Sequence, residues 1–519
     1  MPTPLLFALA VLITSQAIPP PAGSFPVADR RARLETAFAD IDRLFAEYAR
    51  SAHVPGAAWG IIIDGELAHA GTTGVRDVTS NTPVDADTVF RIASMTKSFT
   101  AMAILKLRDE GKLALDDPAE RYVPEMKTLR YPTSDSPRIT IRHLLTHSEG
   151  FPEDNPWGDQ QLSETDESLS RMIRGGIPFS TAPGTAYEYS NYGFAILGRV
   201  VSAVAKQSYD DYVTKNILQP LGMASTTLHA DRVAKGRLAI GYRWEDERWK
   251  EEPALPHGSF GAMGGMLTTI RDLSRYVAAF LAAWPARDGT ETGSIGRASL
   301  REMQQPWRPS ATRVVLDKAN LSAHLTASSY GYGLSHTQTC QFRAAIAHGG
   351  GLPGYGSLMR WLPDYGVGII AFGNLTYAGW SGTIGSALDR LHATGGLVAR
   401  QVMPSPALVA LREDVSKLVM KWDDTLADRI AAENLFMDRS KERRRKEIDD
   451  LAVKVGACSA PERFDVVENA LRGTWTMNCE RGKLQVAITL APTMPPAVQF
   501  MSVRPAPAQA PSSGPCTSF

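Results

Sequence analysis

The chain has 519 residues, 44% of them apolar and 21% charged, enough for one large catalytic domain and a smaller second one. Lys plus Arg equals Asp plus Glu at 55 each, so no global field favours nucleic acid or an anionic membrane surface. The four cysteines include no Cys-x-x-Cys, which argues against a zinc ribbon or a thioredoxin-type site.

The chain opens on an apolar run, Leu5 to Ile13, too short to span a bilayer as a helix. It fits the core of a signal peptide over residues 1–17, with Ser15-Gln16-Ala17 as the cleavage site, although no Lys or Arg precedes it. A periplasmic or secreted protein is expected, and no later segment reads as a transmembrane helix. Arg33 to Arg50 carries apolar residues at helical spacing. Ala57 to Ile63, the turn Asp64-Gly65 and Glu66 to Ala70 form a hairpin pattern. Ser94 to Gly111 predicts a helix with a glycine stop, and further helices are expected at 140–147, 192–206, 209–217 and 270–283. The polar stretch Trp284 to Ser329 reads as loop. Strands follow at 330–336, 342–347, 356–362 and 367–372, then a helix at 383–392.

Met403-Pro404-Ser405-Pro406 marks a composition shift, which bounds a main domain over residues 30–400. Beyond it, Leu408 to Ile430 keeps a helical period, more helix runs to Val455, and three strands are expected at 472–479, 484–490 and 498–503. This predicts a small α+β domain over 405–505, with a disordered tail over 506–519. Cys458 ends its helical stretch and Cys479 sits in a nearby strand, so a Cys458–Cys479 disulfide is expected; Cys340 and Cys516 are left unassigned. The basic run Lys441 to Lys446 lies in an acid-interleaved helix and reads as a solvated face.

Ser94-Met95-Thr96-Lys97 is the one S-x-x-K in the chain. Were Ser94 simply a helix cap, the residue three positions on should be Glu or Gln. A cation there is opposed by the helix macrodipole at about 0.3–1 kcal/mol. The neighbours Phe90, Ile92, Met95, Phe99 and Met102 are apolar, and desolvation lowers a lysine's pKa toward that of a useful base. Ser94 and Lys97 are therefore read as nucleophile and activating base. A second cluster, Tyr189-Ser190-Asn191, taken alone reads first as a turn and a cap for the helix that follows, and otherwise offers a phenol to relay a proton and an amide for a substrate. A third, His348-Gly349-Gly350-Gly351, ends an apolar run, and its glycines let a backbone approach a ligand.

S-x-x-K, Y-x-N and H-x-G in that order resemble the serine β-lactamase and penicillin-binding-protein superfamily, in its class C-like branch of D-alanyl-D-alanine carboxypeptidases, D-aminopeptidases and esterases. Ile139 to His147, Leu218 to Met223 and Gly264 to Leu267 look similar too, and the likeness covers about residues 35 to 395. The resemblance implies a β-lactamase/transpeptidase-like α/β (α+β) fold, with an antiparallel sheet flanked by helices plus a helical subdomain. It implies that Ser94 is acylated and that Lys97 and Tyr189 share the proton transfers. Asn191 would orient the substrate, with His348, Gly349 and Gly350 beside it. The N–H groups of Ser94 and Gly351 would form the oxyanion hole, and neither cofactor nor metal is required. Where relatives have Lys-Thr-Gly this chain has His-Gly-Gly, and where they have Thr-Ser-Gly it has Ser148-Glu149-Gly150.

The expected ligand is a small molecule or peptide, namely an ester, a D-amino-acid peptide or a β-lactam. A peptidase or esterase is favoured over a β-lactamase because histidine carries only part of a charge near neutrality. Two rival classes stay open. One is a metal hydrolase using His143 and His147 at i, i+4, which lacks a His-Glu-x-x-His and a third ligand. The other is a non-catalytic protein that binds wall peptides or a partner.

Overall fold

The computed structural model describes residues 23–291, 293–316, 323–459 and 462–506; the signal peptide expected over 1–17 and the tail expected beyond 506 lie outside them. The described chain forms two compact units, one of residues 25–286 and 290–400, the other mainly of residues 401–506.

The larger unit is built on a nine-stranded antiparallel sheet. Its strands in chain order are β1 (Gly56–Ile63), β2 (Glu66–Asp77), β3 (Thr82–Pro83), β4 (Arg308–Leu316), β5 (Ala323–Tyr330), β6 (Ser335–Gln338), β7 (Ala345–Leu352), β8 (Tyr355–Leu362) and β9 (Val367–Gly373). Across the sheet they run β3-β2-β1-β9-β8-β7-β6-β5-β4. The helices that cover it include α1 (Phe38–Ser51), α2 (Thr96–Asp109), α3 (Asn191–Ala205), α4 (Ile270–Ala282) and α5 (Ser381–Ala393). Helices lie on both faces, so the central strands are apolar throughout rather than alternating. Along β1, Ala58 and Ile62 enter the core shared with α2, α3 and α4, whereas Ala57, Trp59, Ile61 and Ile63 enter the core shared with α1 and α5. Trp59 lies opposite Gly71 in the β1–β2 register, with its indole over the glycine; a Cβ built on Gly71 would come within 2.2 Å of the ring. The β1–β2 turn has Asp64 at φ 53° and Gly65 at φ 88°, the left-handed pair that a tight hairpin needs.

Three expectations need correcting. Residues 284–329 are not a loop, since they hold the helix Arg297–Met303 and the strands β4 and β5. The β4–β5 pair lies at the sheet's edge, where Val314, Val315 and Leu325 are exposed, so no buried face imposes the alternation that would have revealed it. The helix expected from Ser94 begins at Thr96, after a 3-10 turn over Ala93–Met95. The long helix expected over 408–430 is broken at Lys421 to Asp423, where the Asp423 side chain caps a new helix by accepting from Leu426 N–H.

The smaller unit packs the helices Pro406–Met420, Asp424–Ile430 and Lys441–Val455 with a five-stranded antiparallel sheet around the fully buried Trp475. Cys458 and Cys479 face each other across paired strands and are joined in a disulfide; Cys340 is also disulfide-bonded. In the basic run, Lys441, Arg443, Arg444, Arg445 and Lys446 each pair with an acid (Asp428, Glu447, Asp438, Asp424 and Asp450). Among the described residues no helix is long and apolar enough to cross a membrane.

Candidate active site

The short strand Phe90–Arg91 is followed by Ile92 and then Ala93, whose φ of 49° turns the chain sharply at the start of the 3-10 turn that carries Ser94. An alanine in this region costs about 1 kcal/mol, a strain the surroundings must hold. Thr96 Oγ donates to Ala93 O at 2.7 Å and accepts from Met266 N–H at 3.1 Å, while Ser357 Oγ on β8 donates to Ile92 O at 2.9 Å. Ser94 is thereby fixed at the wall of a cleft of about 580 Å³, lined also by Asn155, Asp159, Tyr187, Tyr189, Tyr330, Ser335, His348, Gly349, Gly351 and Tyr377.

Lys97, in the first turn of α2, has no exposed surface. Its Nζ lies 3.0 Å from Ser94 Oγ, 2.6 Å from Asn191 Oδ1 and 2.9 Å from the Met263 carbonyl. Burial brings its pKa down to about 7, even though the carboxylates of Asp159 and Asp154 pull the other way. Tyr189 presents its ring 4.8 Å from the Lys97 Nζ. Burial pushes its phenol well above 10, against a hydrogen bond with Ser94, so it is an O–H and not a phenolate near neutrality.

Asn191 takes a different place from the one expected. It does not cap its helix, since Ser190 does so by accepting from Gly193 N–H. Nor does it line the cleft: it is fully buried, with its Oδ1 taken by Lys97 and its Nδ2 donating to Asn155 Oδ1 at 3.3 Å. Its contact is with the lysine. Asp154 anchors this end of α3 by accepting from Asn191 N–H at 2.7 Å and Tyr192 N–H at 2.8 Å.

His348 sits on β7 at the cleft wall. Its Nδ1 can only donate to the Gly349 carbonyl, 2.6 Å away, so its Nε2 accepts from Tyr330 O–H at 2.8 Å. Burial beside Lys97 lowers its pKa to about 3, leaving a neutral imidazole where the resemblance implies a basic group. Gly349 and Gly351 line the cleft, whereas Gly350 faces the turn that carries Ser94. A Cβ on Gly350 would meet Ile92 O at 2.1 Å and Ser357 Oγ at 2.5 Å. Gly350→Ala is expected to push β7 off that turn, lowering stability by about 1–3 kcal/mol and kcat/KM by more than tenfold; a thermal melt alongside an esterase assay reads both.

His143 and His147 do not converge as a metal pair. His143 accepts at Nδ1 from Thr140 N–H, completing a cap. His147 is fully buried, accepts at Nδ1 from Ser190 N–H at 3.0 Å, and packs its ring 4.4 Å from that of Tyr189 and 4.6 Å from that of Tyr330. It shapes the phenol's wall. Glu149 is fully buried against α3, where a Cβ on Gly193 would fall 2.2 Å from its Oε1. Burial raises its pKa well above the usual carboxylate range, so it is held as the acid. The unfolded chain releases this proton above about pH 4.5 while the folded one retains it, so Glu149 costs stability as pH rises from there. Glu149→Gln is therefore expected to melt above the wild type at pH 8, with the difference closing toward pH 4.

Asp154, Asp159, Met263, Tyr330 and Tyr377 were not picked out in the sequence. Tyr377 O–H donates to Asp159 at 2.9 Å across 218 residues, and no local pattern signals such a pair.

A sheet covered on both faces, with a buried lysine against a serine at the start of the central helix, defines the serine β-lactamase and penicillin-binding-protein class of fold. The Beta-lactamase family model matches residues 41–394, and the chain belongs to that family. Protein flp of Staphylococcus aureus (strain COL) is 34% identical over 243 residues, 46% of this chain and 47% of that protein. Beta-lactamase-like protein 2 of Dictyostelium discoideum is 31% identical over 258 residues, 47% of this chain and 45% of its own length. The chain thus spans about half the length of the curated relatives it matches. An octameric penicillin-binding protein homologue from Pyrococcus abyssi superposes with a TM-score of 0.58 at 22% identity, over 88% of this chain and 96% of that one. A penicillin binding protein from Bacillus halodurans gives 0.52, also at 22% identity, over 68% and 99%. At these identities the two structures speak for the fold alone.

Proposed function

We propose that the protein is a serine hydrolase that forms an acyl-enzyme on Ser94 and acts on esters or amides lacking a carboxylate beside the scissile bond. The observation that carries this reading is the set of partners around Lys97. As a neutral amine it has two N–H bonds and one lone pair; Asn191 Oδ1 and the Met263 carbonyl accept the two donors, and the lone pair is left for the Ser94 hydroxyl. Ser94 Oγ attacks the substrate carbonyl as its proton passes to Lys97 Nζ. The N–H groups of Ser94 and Gly351 hold the oxyanion. When the tetrahedral centre collapses, the leaving group takes a proton from the Tyr189 O–H, which is restored from the Lys97 ammonium. Water then attacks the acyl ester with the proton transfers repeated, releasing the acid and free Ser94.

The substrate preference follows from the cleft wall. Among the described residues its lining contains tyrosines, Asp159 and the neutral His348, but neither lysine nor arginine. A substrate carboxylate would find no fixed cation and would face Asp159, which supports an esterase or D-amino-acid amidase over a D-alanyl-D-alanine carboxypeptidase or a β-lactamase. The Cys458–Cys479 disulfide supports an oxidising compartment, in keeping with export to the periplasm or medium.

The test is a side-by-side assay of short neutral acyl esters, a D-alanine amide, a D-Ala-D-Ala peptide and a cephalosporin, with wild type and Ser94→Ala. The neutral ester or the amide is expected to show the highest kcat/KM, and Ser94→Ala to turn over none. A carboxylate-bearing substrate that outruns both would overturn the preference. Inactivity of the wild type on all four would favour a binding protein instead.

A further inference from the structure

Behind the helix Gly261–Gly264, whose Met263 carbonyl holds Lys97, three side chains from separate segments converge. Asp210 lies on the helix Tyr209–Val213, His229 on the segment after it, and His257 on the loop leading into Gly261–Gly264. One donor atom from each lies within 4.8 Å of the others. His229 Nε2 is 2.8 Å from Asp210 Oδ2, and the two imidazole rings meet edge to face at 5.0 Å. His257 Nδ1 is buried and has no hydrogen-bond partner among the described residues. Leaving a buried ring nitrogen unanswered destabilises the fold, so hydrogen bonding does not account for the placement of His257. The imidazole fits only because residue 261 is glycine: a Cβ there would lie 2.0 Å from Nδ1.

We propose that Asp210, His229 and His257 form a binding site for a divalent transition-metal ion of the zinc type, with one carboxylate oxygen and two imidazole nitrogens as ligands and water completing the shell. The donor set selects the ion, because two imidazoles and one carboxylate suit Zn²⁺, Co²⁺ or Ni²⁺, whereas Mg²⁺ and Ca²⁺ take oxygen. Tetrahedral ligands at zinc distances stand about 3.4 Å apart. The Asp210–His229 pair, at 2.8 Å, is already near that spacing, and the remaining separations, none above 4.8 Å, need only small side-chain rotations to close. All three residues are partly exposed, so an ion and its waters have a path in.

The site is a clamp placed apart from the reacting atoms. Tyr209, the neighbour of Asp210, pairs its hydroxyl with Thr100 Oγ on α2 at 2.7 Å, and the same Oγ donates to the Ala262 carbonyl at 2.6 Å. A bound ion would tie the loop entering Gly261–Gly264 to this network, and so steady the backbone carbonyl that accepts a hydrogen bond from Lys97.

The test uses the full chain, stripped with a chelator and titrated with Co²⁺ while its visible ligand-field absorption is followed. One ion per chain is expected at micromolar or tighter affinity, displaced by Zn²⁺, with a melting midpoint a few degrees higher in excess Zn²⁺. His229→Ala and His257→Gln should each weaken binding at least about tenfold, while Ser94→Ala should bind as the wild type does. Absence of saturable one-to-one binding to the intact protein overturns the proposal whatever the variants do. So does unchanged affinity in both histidine variants, which would place the ion elsewhere. Failure of hydrolysis at Ser94 leaves the Co²⁺ spectrum untouched, so the two readings fail separately.

Discussion

Ser94→Ala is expected to abolish acyl transfer, with kcat falling on the order of 10⁴–10⁶-fold and the cleft otherwise intact. The hydroxyl lies 3.0 Å from a buried amine at a cleft wall, and alanine removes it without adding bulk. Because Lys97 keeps Asn191 and the Met263 carbonyl, the fold should survive, and the variant's melting midpoint should stay near that of the wild type. The decisive measurement is covalent: a reactive acyl ester or fluorescent phosphonate should add its mass to the wild type and leave Ser94→Ala unlabelled. Labelling of the variant would move the nucleophile elsewhere.

Lys97→Met carries the second large effect, and it separates activity from stability. Loss of the base should lower kcat/KM about 10²–10⁴-fold. In the wild type, kcat/KM should rise with pH through about 7 as the Lys97 ammonium loses its proton, and this limb should vanish in the variant. Stability follows the same group with a definite sign. The folded pKa of about 7 lies below the unfolded value of 10.5, so between those limits the unfolded chain binds the extra proton. The cost of burying Lys97 is therefore fully present below pH 7 and fades as pH approaches 10.5. Wild-type stability should gain by several kcal/mol across that window relative to Lys97→Met, measured by urea melts at pH 6, 8 and 10. Parallel stability profiles would mean that Lys97 titrates as an ordinary lysine.

The parts of the site legible in the sequence are those whose chemistry breaks a local rule. A cation in the first turn of a helix among apolar neighbours has no structural purpose of its own, so Lys97 and Ser94 stood out. Tyr189 and the His348 to Gly351 run became legible through their order along the chain. The supporting groups did not, because each obeys its local rules. Asp154 looks like any loop acid until its carboxylate is seen at the start of α3, and Met263 contributes only a backbone carbonyl. Asn191 was legible as a position, but which way its amide faced depended on packing between α2 and α3. The fold divides in the same manner. Central strands and amphipathic helices announce themselves through burial, whereas β4 and β5 are held by backbone pairing at an exposed edge and leave no apolar period to read.

A strand that is apolar on both faces has one further consequence. Greasiness alone cannot choose which residue of β1 sits opposite which residue of β2, since either face of the strand can enter a core. Shape makes the choice: the indole of Trp59 has its socket at Gly71, and a slip of one position would set it against the side chain of Ala70 or Thr72. The glycine acts as a keyway and the tryptophan as its key. Each strand takes its alignment from the one beside it, so this one fit, three strands away from β7, helps to decide where His348 and the three glycines come to rest against Ser94.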